Sequence, residues 1–280
     1  MPHPIRVGIG GWNYEPWRET FYPPEVKKAG ELAYASGQVT AIEINATFYR
    51  GQSETTFAKW AEETPEGFRF TVKAHRATTI RKTVEDMRSS VGMFIEGGVT
   101  ALGEKLGAIN WQFPETRKFD ADYFGAFCSF LPPEHKGVRL RHAIEVRNET
   151  FRNEAFADLM RKHNCAVVYR LRHAIEVRNE TFRNEAFADL MRKHNCAVVY
   201  ADEPGWPMPD METADFAYAR LQNSASDIEI GYATAELDAW AKTLKGWAKK
   251  REVFAFFIAG AKERNPAAAK ALIGRVGRPG

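Results

Sequence analysis

Two glutamates end apolar, β-branched runs of the sequence, and such positions are typical of side chains that do chemistry. Glu43 lies near the end of "TAIEIN", and Glu145 near the end of "HAIEV", which recurs with Glu176 in an identical stretch. Two carboxylates can act as acid and base when their surroundings separate their pKa values. We therefore predict as catalytic residues Glu43, Glu176 or its equivalent Glu145, and Lys73 at the end of "FTVK".

Basic, polar and aromatic residues occupy equivalent positions and indicate the kind of ligand. Lys73, Arg220 and either Arg178 or its equivalent Arg147 would hold an anionic group, most simply phosphate or carboxylate. Aromatic rings would stack on a ring or sugar. Besides the arginines, the predicted ligand-binding residues are Trp12, Tyr14, Asn45, Tyr49, His75, Gln112 and Asp202. The alternative is that strand-end Glu and Arg pair with each other and only stabilise the rim.

Metal and thiol chemistry find less support. His75 could join Glu43 and Asp202 in a nitrogen and oxygen site, but no His-Glu-x-x-His motif accompanies them, so we predict no metal. No motif identifies a cofactor. The three cysteines do not have the pattern of a disulfide framework and indicate a reducing compartment, so we expect a cytoplasmic protein.

The candidate residues fall within an alternating pattern of strands and helices. Short β-branched runs predict strands, and amphipathic stretches between them predict helices. The predicted strands are 6–10, 40–45, 69–73, 108–112, both copies of "HAIEV" and "CAVVY", 216–221 and 253–258. The predicted helices include 25–35, 54–63, 84–106, 120–130, 235–250 and 267–273.

This alternation predicts the fold class. With repeated segments counted once, eight strands each mostly precede a helix, which is the pattern of a TIM-type (β/α)8 barrel in roughly 250 residues. We predict a single domain of this kind over residues 1–280. Functional sites of such barrels lie at the carboxyl ends of the strands, where the candidates are placed. A doubly wound open sheet is the alternative, although no dinucleotide glycine fingerprint opens a helix.

An internal repeat complicates the barrel. Residues 139–169, "RLRHAIEVRNETFRNEAFADLMRKHNCAVVY", recur letter for letter as residues 170–200. Two copies in an otherwise non-repetitive chain do not make a solenoid, and perfect identity indicates a recent or engineered duplication. Because an eight-stranded barrel has no slot for another β-α-β unit, we predict that the extra block lies outside it.

Three arrangements of the copies are open. The second copy builds the barrel and the first is extruded, or the reverse holds, or strand five comes from the first copy and strand six from the second. In the third arrangement the junction is a helix or an external hairpin-like unit, and the helix is favoured by an apolar stripe of Val168, Leu171, Ile175, Phe182 and Ala186. An extruded block would expose apolar surface and promote homodimers or segment exchange.

Several segments resemble one family. They are "VGIGGWNYEPWRETFYPP" (7–24), "AIEINATFYR" (41–50), "TPEGFRFTVKAHR" (64–76), "INWQFPE" (109–115) and "HAIEVRNETF". Together they resemble the YecE-like family, also called domain of unknown function 72, whose "EIN-x-TFY" signature stands here as Glu43, Asn45, Thr47, Phe48 and Tyr49. The resemblance implies a β/α barrel and no established activity.

Composition restricts the classes of function. The sequence has no apolar run long enough to span a membrane, and its start lacks a secretory signal. Each copy of the repeat carries two more basic than acidic residues, so duplication explains most of the net charge of +3 and the charge argues little for nucleic acid.

The leading hypothesis is therefore an enzyme, either a hydrolase or an isomerase/lyase, that acts on a small polar or phosphorylated ligand. One alternative is a non-catalytic protein that binds a nucleotide, nucleic acid or protein partner. Another is a duplicated-segment variant whose function is incidental to its folding.

Overall fold

A computed structural model of the chain describes residues 2–146, 148, 150, 155, 159, 166–169, 199–202, 216–258 and 260–279. Its strands are β1 (Ile5–Gly10), β2 (Ala41–Ile44), β3 (Arg69–Lys73), β4 (Leu106–Gln112), β5 (Glu134–His135), β6 (Val138–Arg139), β7 (His142–Val146), β8 (Ala166–Tyr169), β9 (Val199–Ala201), β10 (Phe216–Leu221) and β11 (Glu252–Phe257). Nine of them form one sheet in the order β8-β7-β4-β3-β2-β1-β11-β10-β9. Every neighbouring pair in this sheet is parallel. Strands β5 and β6 form a separate antiparallel hairpin.

In the described part of the chain, helices follow most of the parallel strands, as the alternating sequence pattern predicted. They are α1 (Trp17–Thr20), α2 (Glu31–Gln38), α3 (Glu54–Glu62), α4 (Ala77–Ile80), α5 (Val84–Glu96), α6 (Ala121–Ser129), α7 (Thr234–Ala248) and α8 (Asn265–Val276). Three of these helices begin after a capping side chain: Ser53, Thr83 and Asp120 accept hydrogen bonds from backbone N–H groups of the first turns. Such caps satisfy donors that the helix itself cannot pair.

Two predicted helices are shorter in the structure. The stretch 25–35 becomes helical only at Glu31, because a 3-10 turn at Lys28–Gly30 precedes α2. The stretch 84–106 ends as an α-helix at Glu96 and resumes as 3-10 turns. Gly98 separates the two parts: its φ is +99°, and a Cβ atom there would lie 2.5 Å from the Cα atom of Glu54. Only glycine combines this backbone conformation with so close an approach to α3.

The parallel sheet is strongly curled. Strands β7 and β10 are separated in it by β4, β3, β2, β1 and β11, a span of roughly 29 Å if the sheet were flat. Nevertheless, Nη1 of Arg220 in β10 lies 3.0 Å from Oε2 of Glu145 in β7. The two strands therefore face each other across the interior of the curl, and the predicted α/β fold with a parallel sheet is confirmed.

Alternate residues of the strands pack on opposite faces of the curl. The outer face meets the helices through aliphatic and aromatic side chains such as Val7, Ile9, Ile42 and Val72. The inner face holds a small second cluster, formed by Ala41, Ala143, Phe216, Tyr218, Phe254 and Phe256, with Ile258 packed against it. This inner apolar layer separates two groups of charged side chains, one at each end of the strands.

The repeat enters the sheet at two places. Strand β7 and strand β8 both come from the first copy and pair with each other, whereas β9, at the end of the second copy, pairs with β10. The first copy thus supplies β7, which takes the fifth strand position of the predicted barrel. Strands β8 and β9, one from each copy, both lie in the region of the sixth position. This arrangement combines the second and third predicted alternatives. The predicted helix is wrong for Ala166–Tyr169, which form a strand. The remainder of the junction lies outside the described residues.

Candidate functional site

Three charged side chains from distant strands meet at the carboxyl end of the curl. Glu43 in β2, Glu145 in β7 and Arg220 in β10 are all buried. The guanidinium of Arg220 spans the two carboxylates, with Nη2 3.4 Å from Glu43 Oε1 and Nη1 3.0 Å from Glu145 Oε2. Because each residue lies at an inward position of its strand, the period of two in the β-strand brings all three to the same interior.

Two further residues complete this network, and the sequence interpretation missed both. The hydroxyl of Tyr218 donates a hydrogen bond of 2.7 Å to Glu43 Oε2. The amide of Asn110 donates from Nδ2 to Glu145 Oε2 over 3.3 Å. Tyr218 lies two residues before Arg220, and Asn110 two residues before Gln112, so alternation along each strand was a signal that could have found them.

Burial and charge set the protonation of the network. Burial acts to lower the pKa of Arg220, but the charges of Glu43 and Glu145 outweigh it, and the pKa lies above its ordinary value. Burial and then the charge of Glu43 raise the pKa of Tyr218. Tyr218 therefore stays protonated and donates to Glu43, while Arg220 stays a cation between two carboxylates.

Two buried polar atoms of the network have no hydrogen-bond partner among the residues that the structure describes. They are Oδ1 of Asn110, an acceptor, and Nε of Arg220, a donor. Both side chains bind the same oxygen, Glu145 Oε2, so they lie next to each other. A buried polar atom without a partner is costly in a native protein and commonly marks the position of a water molecule or ligand.

Lys73 and Gln112 end strands β3 and β4 beside this network. Both side chains are buried. In the register of the sheet Lys73 is opposite Asn110, and Gln112 is opposite Glu145. The Lys73 ammonium lies 4.9 Å from the ring centroid of Phe48. The structure therefore places both predicted residues at the same end of the sheet as the Arg220 network.

The three predicted aromatic residues lie elsewhere. Trp12 packs edge-on against Trp60 of α3, with ring centroids 5.0 Å apart, on the helix side of the sheet. Tyr14 has the Lys262 ammonium 4.2 Å above its ring. Tyr49 is 70% exposed and contacts Phe48. In the part of the chain that the structure describes, none of them makes a ring or hydrogen-bond contact with Glu43, Glu145 or Arg220.

The other predicted polar residues hold backbone near the strand ends. Asn45 donates from Nδ2 to the Glu43 carbonyl oxygen over 3.4 Å. Nδ1 of His75 accepts from the backbone N–H of Ala77 over 3.2 Å. The carboxylate of Asp202 accepts from the hydroxyl of Tyr232 and from a backbone N–H that follows β10.

Burial raises the pKa of Asp202. Since both its oxygens are engaged, Asp202 connects β9 to the loop beyond β10. The predicted residues Arg147, Glu176 and Arg178 lie outside the described residues.

The described residues show neither a metal-binding cluster nor a membrane-spanning helix. They contain no group of three or more His, Cys, Asp or Glu side chains placed to hold a metal ion. They also contain no helix that is both long and apolar enough to cross a membrane.

Comparisons with known proteins agree on one family. Residues 6–171 and residues 168–280 each match the model for "Protein of unknown function DUF72". The two matches meet where the first copy of the repeat gives way to the second. UPF0759 protein YunF of Bacillus subtilis (strain 168) is 27% identical over 160 residues, which span 54% of this chain and 54% of that protein. The match thus reaches about half the length of this curated relative.

Solved structures extend the likeness over nearly the whole chain. The DUF72 family protein TM1631 from Thermotoga maritima MSB8 gives a TM-score of 0.64 at 21% identity, over 96% of this chain and 97% of that chain. The DUF72 family protein EF0366 from Enterococcus faecalis V583 gives 0.60 at 15% identity, over 97% of each chain. At these identities the likeness shows a shared fold.

Proposed function

Since the chain belongs to the DUF72 family of proteins of unknown function, we propose its function from the site itself. It binds a small polar molecule, bearing hydroxyl or phosphoryl groups, at the carboxyl ends of the parallel strands. It acts on that molecule as an acid–base enzyme, of the hydrolase or isomerase/lyase type. This location is where barrels and curled parallel sheets of the α/β class place their sites.

One observation carries the proposal: a donor and an acceptor of the same network are buried with no partner among the described residues, on two side chains that bind the same oxygen of Glu145. Asn110 Oδ1 needs a donor and Arg220 Nε needs an acceptor. A hydroxyl group is both at once, so one hydroxyl of a ligand satisfies the pair. A buried network in which some hydrogen-bonding groups lack partners stabilises the fold poorly. The two unpaired atoms therefore support a binding role over a purely structural one.

The chemistry follows from the charges of the network. Glu43 accepts hydrogen bonds from both Tyr218 and Arg220, and we assign it the role of the base that takes a proton from the ligand. Glu145 is held likewise by Asn110 and Arg220. Lys73 is the adjacent group that can carry a proton to the ligand or oppose a negative charge that develops on it. In this scheme Arg220 positions the two carboxylates, and an anionic part of the ligand contacts Lys73.

The same proposal includes a closed barrel. The ends of the nine-stranded order, β8 and β9, contact each other, and between them they occupy the region of strand six. We propose that this contact closes the curl into an eight-position barrel, in which two identical segments share one position. Closure excludes water from the interior, where charged contacts are strongest.

Binding of model ligands tests the function. Ribose, ribose 5-phosphate and inorganic phosphate are each added to the protein, and the rise in melting temperature is measured. We expect a sugar-dependent rise that is lost in Asn110→Leu and retained in Asn223→Leu, a control that changes an exposed asparagine. Each rise is taken relative to the same variant without ligand. Crystals soaked in the best ligand should show it at Asn110, and an unchanged rise in Asn110→Leu would overturn the proposal.

A further inference from the structure

A second charged cluster lies at the opposite, amino-terminal end of the strands. Arg6 in β1 and Arg141 just before β7 hold the carboxylate of Glu252 at the start of β11, and Arg69 at the start of β3 lies within electrostatic range of all three. Nε of Arg6 and Nη1 of Arg141 each lie 2.8 Å from an oxygen of Glu252. The apolar layer of Phe216 and Phe254 separates this cluster from the Arg220 network.

The cluster carries more positive than negative charge. Arg6 and Arg141 share the single carboxylate of Glu252, and Arg69 has no acidic partner among the described residues. The nearby Glu104 is exposed to solvent, so it offsets little of this charge. Burial and then the charge of Arg6 lower the pKa of Arg69. An additional anion would relieve this repulsion.

The donors of the three guanidiniums are only partly used. Arg6 donates from Nε to Glu252 and from Nη1 to the Gly67 carbonyl. Arg141 donates from Nε to the Gly107 carbonyl and from Nη1 to Glu252. Arg69 donates only from Nη1, to the Phe68 carbonyl. Within the described residues, Nη2 of each arginine therefore has no acceptor, and Arg69 keeps its whole Nε–Nη2 edge for a two-point contact.

We propose that this amino-terminal cluster binds a phosphate-type oxyanion, held by the Nη2 groups of Arg6, Arg69 and Arg141. A phosphoryl group fits because its several oxygens accept from guanidinium edges that point from different strands. Its double negative charge matches three guanidiniums less one carboxylate. The site is open to solvent, since the side chains of Arg141 and Glu252 are 26% and 18% exposed. It is separate from the carboxyl-end site, and it stands whether or not the proposed function does.

Calorimetric titration of the intact protein tests this site with two probes, inorganic phosphate and ribose 5-phosphate, at an ionic strength held constant with chloride. We expect both to bind, because the phosphoryl group is what the arginines recognise. If only the ester binds, and Arg69→Gln weakens that binding, the ligand of the arginine cluster is a phosphate monoester and not free phosphate. If neither binds, the proposal is wrong.

Three variants locate the binding. Arg69→Gln should weaken it about tenfold or more, since it removes the two-point contact. Arg88→Gln, which removes one exposed guanidinium from α5, should leave it unchanged. Glu252→Gln should strengthen it several-fold, because the carboxylate competes with the anion for Arg6 and Arg141. A structural role alone would weaken binding in both cluster variants, so weaker binding in Glu252→Gln, or unchanged binding in Arg69→Gln, would overturn the proposal.

Discussion

Tyr218 in β10 donates its hydroxyl hydrogen to Glu43 in β2 over 2.7 Å, across the interior of the curled sheet. Strands β1 and β11 separate their two strands in the sheet, so this contact depends on the curl. Tyr218→Phe removes the hydroxyl and keeps the ring. Because the acceptor is a buried carboxylate, we expect the free energy of unfolding to fall by about 1.5–3 kcal/mol.

Urea denaturation measures this loss, with Tyr49→Phe as the matched control. The Tyr49 ring is 70% exposed, and removal of its hydroxyl should change stability by no more than about 0.5 kcal/mol. Equal effects of the two substitutions would contradict the role given to the Tyr218–Glu43 contact.

Arg220→Met tests the ion pairs of the same network. It leaves Glu43 and Glu145 buried without their cation, and we expect a loss of about 3–5 kcal/mol in the free energy of unfolding. Arg275→Met removes an arginine that lies 2.6 Å from Asp238, a carboxylate whose side chain is 62% exposed. Since exposed pairs stabilise little, this control should cost less than about 1 kcal/mol. The two variants should therefore have clearly different midpoints in chemical denaturation. Similar midpoints would contradict the stabilising role given to the Arg220 ion pairs.

The buried His142 makes the free energy of unfolding depend on pH. Its Nδ1 accepts from the indole N–H of Trp111 over 3.1 Å, and its Nε2 donates to the Pro132 carbonyl over 2.8 Å. The contact with Trp111 needs the neutral ring, because a protonated Nδ1 cannot accept, and burial lowers the pKa of His142 to about 4. The unfolded chain binds the proton near pH 6.5, so this contribution is complete above pH 6.5. It is lost as the pH falls toward 4, by roughly 3 kcal/mol in total.

The pH dependence is measured as the free energy of unfolding between pH 7 and pH 4. Since carboxyl groups also titrate in this range, the informative quantity is the difference in slope between variants. His142→Gln should flatten the slope, whereas His3→Gln, at an exposed histidine, should give the same slope as the unsubstituted protein. Identical slopes for all three proteins would show that His142 is not the group that titrates.

Deletion of residues 170–200 tests the shared sixth-strand position. Among the strands that the structure describes, β8 pairs with β7 alone and β9 with β10 alone. After deletion a single "CAVVY" segment can pair on both sides. We expect the free energy of unfolding to rise by about 2 kcal/mol, the contribution of roughly two additional backbone hydrogen bonds. Thermal and urea denaturation measure the change, and a fall in stability would contradict the shared position.

The same deletion tests the predicted segment exchange between chains. Size-exclusion chromatography with light scattering should find dimers of the full chain and monomers of the shortened one, because the deletion removes the second, exchangeable copy. A monomeric full chain, or a dimer that persists after deletion, would contradict segment exchange through the repeat.

Much of the sheet could be predicted because its strands have strong local patterns. Arg69–Lys73, His142–Val146 and Phe216–Leu221 occur where the sequence placed them. The strand-end rule also directed attention to Glu43, Glu145 and Arg220, which the structure brings together.

The structural features that could not be predicted from the sequence depend on long-range geometry. The amino-terminal arginine cluster joins Arg141, just before β7, to Glu252 of β11, although four strands separate β7 from β11 in the sheet, so it exists only because the sheet curls. The break in the predicted helix 84–106 depends on how closely Gly98 approaches Glu54 of α3, a distance that no local pattern contains. For the repeat, identical segments have identical propensities, so only their different neighbours, β7 and β10, distinguish β8 from β9.

The parallel return of β9 beside β10 has an evolutionary consequence. Both copies of the apolar segment run in the same direction as their neighbours, so the chain leaves the repeat with its inward and outward positions in phase. Arg220 consequently still reaches Glu43 and Glu145. A lineage can lengthen such a protein by one whole strand–helix–strand period without inverting any later strand. An insertion of a single residue within β10 would turn Arg220 outward and remove it from the site.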